Sequence, residues 1–249
     1  LARSIQHGVQ ASMIIDELGP TFANLLRDGR HGIVTVLAER CAKDFEECQK
    51  AFVKCMLVAL GDDATTFLLY GHNLEVGAKI YVPGAMILCN LLRFEEKQQR
   101  KFARDLAALP VEPFVKMMRD GSGSRVMDAF LDGHATREVK RAVVEKTYDS
   151  VADLARDKFG SRLVEKMYKL SAIDVKEQIA ERLTANQTLI AANFHGAYVL
   201  KNCRIDTFKR KREQWAGAEE GNAKKRELFA DLLQGDEDKG EKEKKEKKD

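Results

Sequence analysis

Apolar residues recur along the chain with helical spacing behind a set of glycines. In the segment DKFGSRLVEKMY, which starts at Asp157, apolar side chains stand three, four, seven and eight positions after Gly160. These offsets form one stripe of an α-helix, so a helix with an apolar face is predicted to begin at the glycine. The pattern recurs, interrupted once by a polar residue, in DGSGSRVMDAFL from Asp120, NFHGAYVLKNCR from Asn193 and YVPGAMILCNLL from Tyr81. An Asp or Asn usually stands three residues before the glycine.

The four segments start 39, 37 and 36 residues apart. A unit of this length cannot bury its apolar stripe alone, so it must stack on its neighbours. The predicted fold is therefore all-α, an α-α superhelix or solenoid of helical repeats. A degraded fifth copy starts at Arg27, with His31 in the place of the glycine. The 53 residues between Asp28 and Tyr81 exceed one period, so we interpret residues 61–73 (GDDATTFLLYGHN) as an inserted loop.

The repetition stops after Cys203, which divides the chain into three predicted parts. Residues 1–203 form the repeat array, degenerate before residue 81, and residues 204–235 form one or two C-terminal capping helices. Solenoids need such a cap because the last unit has no neighbour. Residues 236–249 hold lysines and acids with no apolar side chain and are predicted to be a disordered tail. The apolar side chains available to cover the open end are Phe208, Trp215, Leu228, Phe229, Leu232 and Leu233.

The charge balance narrows the possible partners. Among 249 residues, 42 basic and 39 acidic side chains nearly cancel to a net charge of +3. A bulk polycation is thereby excluded, and any nucleic-acid contact must use basic groups concentrated on one surface. No apolar run approaches the roughly 18 residues of a membrane span, so we expect no membrane partner.

No catalytic or metal-binding constellation stands out. The five histidines lack metal-ligand spacing, and none pairs recognisably with a Cys or Ser. We therefore expect no enzyme activity, no metal, no cofactor and no small-molecule substrate. Cys41, Cys48 and Cys55 fall seven residues apart, and we interpret them as a buried stripe of one helix in a reducing compartment.

Polar residues beside the stripe are the candidate binding site. Ser161 and Glu165 stand one helical turn apart, and Arg162 flanks them. Such a set fits an unpaired base, because the first two can hydrogen-bond its edge while the guanidinium stacks on its face. The alternative interpretation is that these three residues are ordinary solvated helix surface with no binding role. The same register places Ser124 and Arg125 37 residues earlier, which favours the binding interpretation.

The segment DKFGSRLVEK, residues 157–166, resembles the recognition helix of the Pumilio (PUF) family, whose repeats each read about one RNA base. The resemblance implies an array of Pumilio-like repeats in which Ser161 and Glu165 read guanine and Arg162 stacks. In the other repeats the pattern weakens. Asp128 is a shorter acid beside Ser124 and Arg125, and Tyr198 keeps a stacking ring while Ala197 and Lys201 replace the edge readers. The least similar sets are Ala85, Met86 and Cys89, and Gly32, Ile33 and Val36.

One complete reader among five repeats predicts weak sequence discrimination. Basic residues around the array would add a contribution to affinity that depends on salt and ignores sequence. The candidate phosphate contacts are Lys158, Lys209, Arg210, Lys211 and Arg212. The run 209–212 has two other interpretations, a solvated helix face diluted by nearby acids or a nuclear-import signal.

The segment HGAYVLKNCRIDTFKRKREQW, residues 195–215, resembles the end of the divergent Pumilio-like nucleolar protein nine family. This resemblance implies a nucleolar, and hence nuclear, protein that binds single-stranded pre-ribosomal RNA of the small subunit, near the junction of the 18S sequence with the first internal spacer. It implies an assembly factor that shields RNA and catalyses nothing, with other small-subunit assembly factors as possible partners. The alternative is a helical-repeat scaffold that mediates protein–protein contacts in a nuclear ribonucleoprotein assembly.

Overall fold

A computed structural model describes residues 7–222 and 224–225, and within those ranges all regular structure is helical. The α-helices are α1 (Gly8–Leu18), α2 (Phe22–Arg27), α3 (Gly32–Lys43), α4 (Gln49–Leu60), α5 (Ala64–Tyr70), α6 (Val82–Leu91), α7 (Glu96–Ala108), α8 (Val111–Met118), α9 (Gly123–Asp132), α10 (Arg137–Lys146), α11 (Val151–Arg156), α12 (Gly160–Leu170), α13 (Ile173–Ala185), α14 (Gln187–Ala191), α15 (Phe194–Asn202) and α16 (Ile205–Arg210). Short 3-10 helices span Gly19–Thr21, Glu46–Cys48, Gly61–Asp63, Gly71–Asn73 and Tyr148–Ser150. Residues 212–222, called the terminal segment below, are also helical.

The helices repeat in sets of three. Helices α3, α6, α9, α12 and α15 pack side by side in chain order and form what we call the inner row. Helices α4, α7, α10, α13 and α16 follow them in the chain and also pack in order, as the outer row. Helices α5, α8, α11 and α14 precede the inner-row helices and pack against them. The predicted solenoid of helical repeats is confirmed.

The predicted apolar stripes form the core between the rows. In α9 the four stripe residues are at most 3% exposed. Burying a side chain of this size stabilises the fold by roughly 1.5–3 kcal/mol, so the stripes supply much of the stacking energy. The buried stripe residues are Ile87, Leu88, Leu91, Leu92, Val126, Met127, Phe130, Leu131, Leu163, Val164, Met167, Tyr168, Val199 and Cys203.

The acid or amide before each glycine caps the start of an inner-row helix. Asp120 Oδ1 accepts hydrogen bonds from the backbone nitrogens of Ser122 and Gly123 at 2.7 and 2.9 Å. Asp157 and Asn193 bond the start of α12 and α15 in the same way. These backbone N–H groups have no partner inside the helix, which explains why an oxygen-bearing side chain recurs there.

The recurring glycine allows the preceding helix to approach the inner row closely. A Cβ atom on Gly123 would lie 2.3 Å from the carbonyl oxygen of Met117, and one on Gly196 would lie 2.2 Å from that of Ile190. Neither glycine has a positive φ. The residue is therefore required by helix–helix packing, in addition to marking the entry into the helix.

The interpretation of residues 61–73 as an inserted loop is wrong. Residues Ala64–Tyr70 form α5, which packs against α6 as the first helix of its repeat. Phe67, Leu68 and Leu69 are consecutive in sequence and all buried, so the segment shows no amphipathic period. The extra length lies instead in residues 71–81, which link α5 to α6.

The three cysteines seven residues apart do not share a helix, contrary to the expectation above. Cys41 lies in α3, Cys48 in the short helix Glu46–Cys48 and Cys55 in α4, because α3 ends at Lys43. All three are free thiols, as are Cys89 and Cys203. Burial, with a smaller effect of neighbouring Cys48 and Glu47, raises the pKa of the Cys41 thiol to about 12.

The terminal segment covers the end of the array, as predicted for a capping helix. Trp215 is fully buried, and its ring centroid lies 4.8 Å from that of Phe208. Lys176 Nζ on α13 and Glu219 Oε2 on the terminal segment form a buried ion pair at 2.6 Å. The other predicted capping side chains, Leu228, Phe229, Leu232 and Leu233, and the tail 236–249 lie outside the described residues.

Candidate nucleic-acid interface

Side chains two positions after each glycine form an exposed series along the inner row. Met86 on α6, Arg125 on α9, Arg162 on α12 and Tyr198 on α15 are all exposed. They occupy helix positions that the apolar stripe leaves free, and their helices pack on one another in order. The structure therefore repeats a flat or elongated side chain at regular intervals along one row of helices.

The serines that precede these arginines are nearly buried. Ser124 is 7% exposed and Ser161 is 4% exposed. Each hydroxyl donates to a backbone carbonyl three residues earlier, Ser124 to Gly121 at 3.2 Å and Ser161 to Lys158 at 3.4 Å. Because its proton is engaged, a serine here can meet a ligand only through the remaining lone pairs of its oxygen.

The carboxylates five positions after the glycine are held by the following repeat. Glu165 Oε2 accepts a hydrogen bond from Asn202 Nδ2 at 2.9 Å. Asp128 Oδ1 accepts one from Lys166 Nζ at 2.9 Å. Both carboxylates are half-buried, so each lies between two inner-row helices with part of its surface open.

Charged side chains of α9 affect a cysteine of the preceding inner-row helix, α6. Cys89 stands five positions after Gly84, and burial raises the pKa of its thiol to about 11. Arg93 and Arg125 act against that shift, while the carboxylate of Asp128 adds to it. Arg125 and Asp128 of α9, at the second and fifth positions, therefore lie near enough to affect the thiol of the preceding inner-row helix.

The last inner-row helix carries an exposed aromatic pair. The ring centroids of Tyr198 and Phe194 lie 5.2 Å apart, and Phe194 is 71% exposed. Lys201, in the fifth position of this repeat, is exposed. Sequence reasoning did not single out Phe194. The available signal was an aromatic residue two positions before the glycine, off the apolar stripe.

The candidate phosphate contacts fall into two groups. Lys158 is exposed beside the inner row, with its Nζ 5.4 Å from the ring centroid of Phe159. Lys209 and Arg210 end α16, Lys211 follows it, and Arg212 begins the terminal segment; all four side chains are exposed. Within this run Arg212 is paired with Glu181 and Glu177 of α13 at 2.8 and 3.5 Å, so its cation is engaged by the outer row.

A cleft of about 800 Å³ opens between α12, α15 and the terminal segment. Its lining includes both partners of the buried ion pair, the inner-row side chains Arg162, Glu165 and Asn202, and Arg204 in the turn before α16. Over the described residues, no group of three or more His, Cys, Asp or Glu side chains is arranged to hold a metal ion. None of the helices described is both long and apolar enough to cross a membrane.

Most of the sequence matches a known family. Residues 6–198, which run from before α1 into α15, match the family described as the NOP9-like PUF repeat domain. The chain belongs to this family. This NOP9-like PUF assignment agrees with the Pumilio resemblance inferred from residues 157–166.

Individual relatives of this NOP9-like PUF chain have low sequence identity to it, but they align with most of its length. Nucleolar protein 9 of Homo sapiens is 27% identical over 258 residues, covering 90% of this chain and 40% of the relative. Pumilio homolog 23 of Arabidopsis thaliana is 26% identical over 227 residues, covering 85% and 30% respectively. The chain thus spans less than half the length of these curated relatives.

Solved structures share the fold of this NOP9-like PUF chain. The structure described as APUM23-deletion-of-insert-region-GGAAUUGACGG superposes with a TM-score of 0.79 at 23% identity, covering 86% of this chain and 45% of that one. The Puf4 RNA binding domain bound to HO endonuclease RNA 3′ UTR recognition sequence gives a TM-score of 0.56 at 15% identity, covering 78% and 54%. Both likenesses support the solenoid assignment.

Proposed function

We propose that the inner row binds single-stranded RNA, with bases stacking on the side chains two positions after each glycine. The observation that carries this proposal is the exposed series Met86, Arg125, Arg162 and Tyr198 on helices packed in chain order. Stacking on the two arginines and the tyrosine is worth roughly 1–3 kcal/mol per base and tolerates every base. Several modest contacts in series therefore suffice for binding by a chain whose net charge is only +3.

Selectivity in this proposal is concentrated at α12. Glu165 accepts hydrogen bonds and cannot donate them, and the hydroxyl proton of Ser161 is engaged by a backbone carbonyl. Two acceptors side by side suit a base edge with two adjacent N–H donors, and guanine offers these at N1 and N2. The fifth positions Cys89 and Lys201 do not offer a carboxylate, so the array as a whole discriminates weakly between sequences.

The biological role we propose rests on the family and on the names of its members. Relatives are called Nucleolar protein 9 and Pumilio homolog 23, and structural neighbours include RNA-bound Pumilio-type domains. We place this protein in the nucleolus, on single-stranded pre-ribosomal RNA of the small subunit near the junction of the 18S sequence and the internal spacer. It acts there by occupying RNA beside other assembly factors and without catalysis.

Ultraviolet crosslinking tests the proposal directly. The protein is irradiated with labelled single-stranded RNA at physiological salt, and the linked peptides are mapped. Links within residues 124–128 and 161–165 are expected, because these segments carry the exposed arginines Arg125 and Arg162 of the inner row. Absence of links in both segments, together with binding that survives only at low salt, would instead favour a scaffold for protein partners.

A further inference from the structure

At two successive contacts between neighbouring inner-row helices, a hydrogen bond joins equivalent positions, but the donor group differs. In each, the side chain six positions after the glycine reaches back to the carboxylate five positions after the glycine of the preceding repeat. Lys166 bonds Asp128 at 2.9 Å, and Asn202 bonds Glu165 at 2.9 Å. The geometry is therefore equivalent, while the donor is a cation in one junction and a neutral amide in the other.

The lysine bridge holds its carboxylate firmly. Besides Asp128 Oδ1, Lys166 Nζ donates to Asp132 Oδ2 at 2.7 Å and to the backbone oxygen of Asp128 at 3.3 Å. Burial lowers the pKa of the Lys166 ammonium, but the hydrogen bonds to Asp132 and Asp128 outweigh it and raise the pKa overall. The ammonium therefore stays charged, and a base would have to compete with an ion pair for the Asp128 carboxylate.

The asparagine bridge constrains its carboxylate without neutralising it. Asn202 Nδ2 occupies one oxygen of Glu165 through a single hydrogen bond from a neutral amide. The neutral amide brings no positive charge to the carboxylate, and a side chain one methylene longer than aspartate extends further from the helix. Glu165 is thus oriented by a neighbour and remains able to accept hydrogen bonds from a ligand.

We propose that the donor from the following repeat decides which carboxylate reads a base: Lys166 withholds Asp128 from RNA, and Asn202 orients Glu165 toward it. The inference rests on the proposed RNA binding and adds two positioning residues, six places after the glycine, to the side chains that touch bases. The base facing α12 is selected, and the base facing α9 is held by stacking on Arg125 without selection.

Selection from a random-sequence pool of single-stranded RNA, followed by sequencing, tests the inference. The wild-type protein is expected to constrain one base, and Glu165→Gln identifies it by abolishing that preference. Asn202→Ala should weaken the same preference by about tenfold or more, because one well-oriented pair of base contacts carries discrimination of that size. Asp128→Asn should leave the enriched sequences unchanged.

The second part of the experiment frees the Asp128 carboxylate from Lys166. Lys166→Gln should create a second constrained base next to the first, and adding Asp128→Asn to that variant should remove it again. The matched control is Lys97→Gln, which deletes an exposed lysine on α7 of the outer row. It should alter neither base.

The outcomes separate the two proposals. If the wild-type protein enriches no RNA, the proposed function itself is wrong. If it enriches RNA but Asp128→Asn changes the preferred bases, or Asn202→Ala keeps the full preference, only the inference about Lys166 and Asn202 is overturned. Circular dichroism melts check that each variant folds. Should Lys166→Gln fail to fold, the Asp128→Asn and Asn202→Ala results decide the matter.

Discussion

Trp215 donates its indole N–H to the hydroxyl of Tyr168 at 2.8 Å, and both side chains are buried. Tyr168 is the last stripe residue of α12, in the inner row, whereas Trp215 lies on the terminal segment after the last repeat. The bond therefore links the cap to the array over 47 residues of sequence. Burial, with a smaller contribution from Glu219, raises the pKa of the Tyr168 phenol, so the hydroxyl remains protonated.

Removing the Tyr168 hydroxyl tests whether this bond stabilises the cap. Tyr168→Phe leaves the indole N–H of Trp215 buried without its partner, which should lower the free energy of unfolding by about 1–3 kcal/mol. Tyr148→Phe is the control, because its half-buried ring lies under the Arg182 guanidinium and should change stability by about 0.5 kcal/mol or less. Urea denaturation followed by tryptophan fluorescence measures both. Equal effects in the two variants would contradict the prediction.

The buried ion pair between Lys176 and Glu219 is the second connection to the cap. Their side chains are 3% and 6% exposed. Glu219→Gln leaves the lysine ammonium buried without a counter-charge and should cost about 3–5 kcal/mol. The exposed pair Arg141–Glu145 provides the control, since Glu145→Gln should cost about 1 kcal/mol or less. Adding Lys176→Met to Glu219→Gln should recover part of the loss, and a further loss in thermal unfolding would count against this explanation.

The sequence predicts the inner row well because its signal is local. A glycine, a capping Asp or Asn and an apolar stripe all lie within a twelve-residue segment, so they can be recognised without knowing the fold. The segment around Phe67 escaped recognition because α5 is buried on several sides and shows no amphipathic period. The bridges from Lys166 to Asp128 and from Asn202 to Glu165 span 38 and 37 residues, and only the stacked structure sets which side chains meet.

The glycine of α9 should be intolerant of even a methyl group. A Cβ atom at Gly123 would lie 2.3 Å from the Met117 carbonyl oxygen, which is backbone and cannot move aside cheaply. We expect Gly123→Ala to lower the free energy of unfolding by about 1–3 kcal/mol through overpacking. Gly217→Ala is the matched control in the terminal segment, where nothing lies within 4 Å of the added atom. Alanine there should stabilise the helix by up to about 1 kcal/mol. A loss at Gly217 as large as that at Gly123 would argue against the close approach.

Arg162 provides the most direct test of RNA binding on the inner row. Its side chain is exposed in the series that we propose to stack on bases, and its removal should forfeit one stacking contact of roughly 1–3 kcal/mol. Arg162→Ala should therefore weaken binding about tenfold or more, measured by filter binding to the RNA that the wild-type protein enriches from a random pool. Arg104→Ala removes the same charge from an exposed position on α7 of the outer row. If the two variants lose affinity by the same factor as each other at every salt concentration tested, Arg162 acts only through the overall charge. The proposed stacking role on the inner row is then wrong.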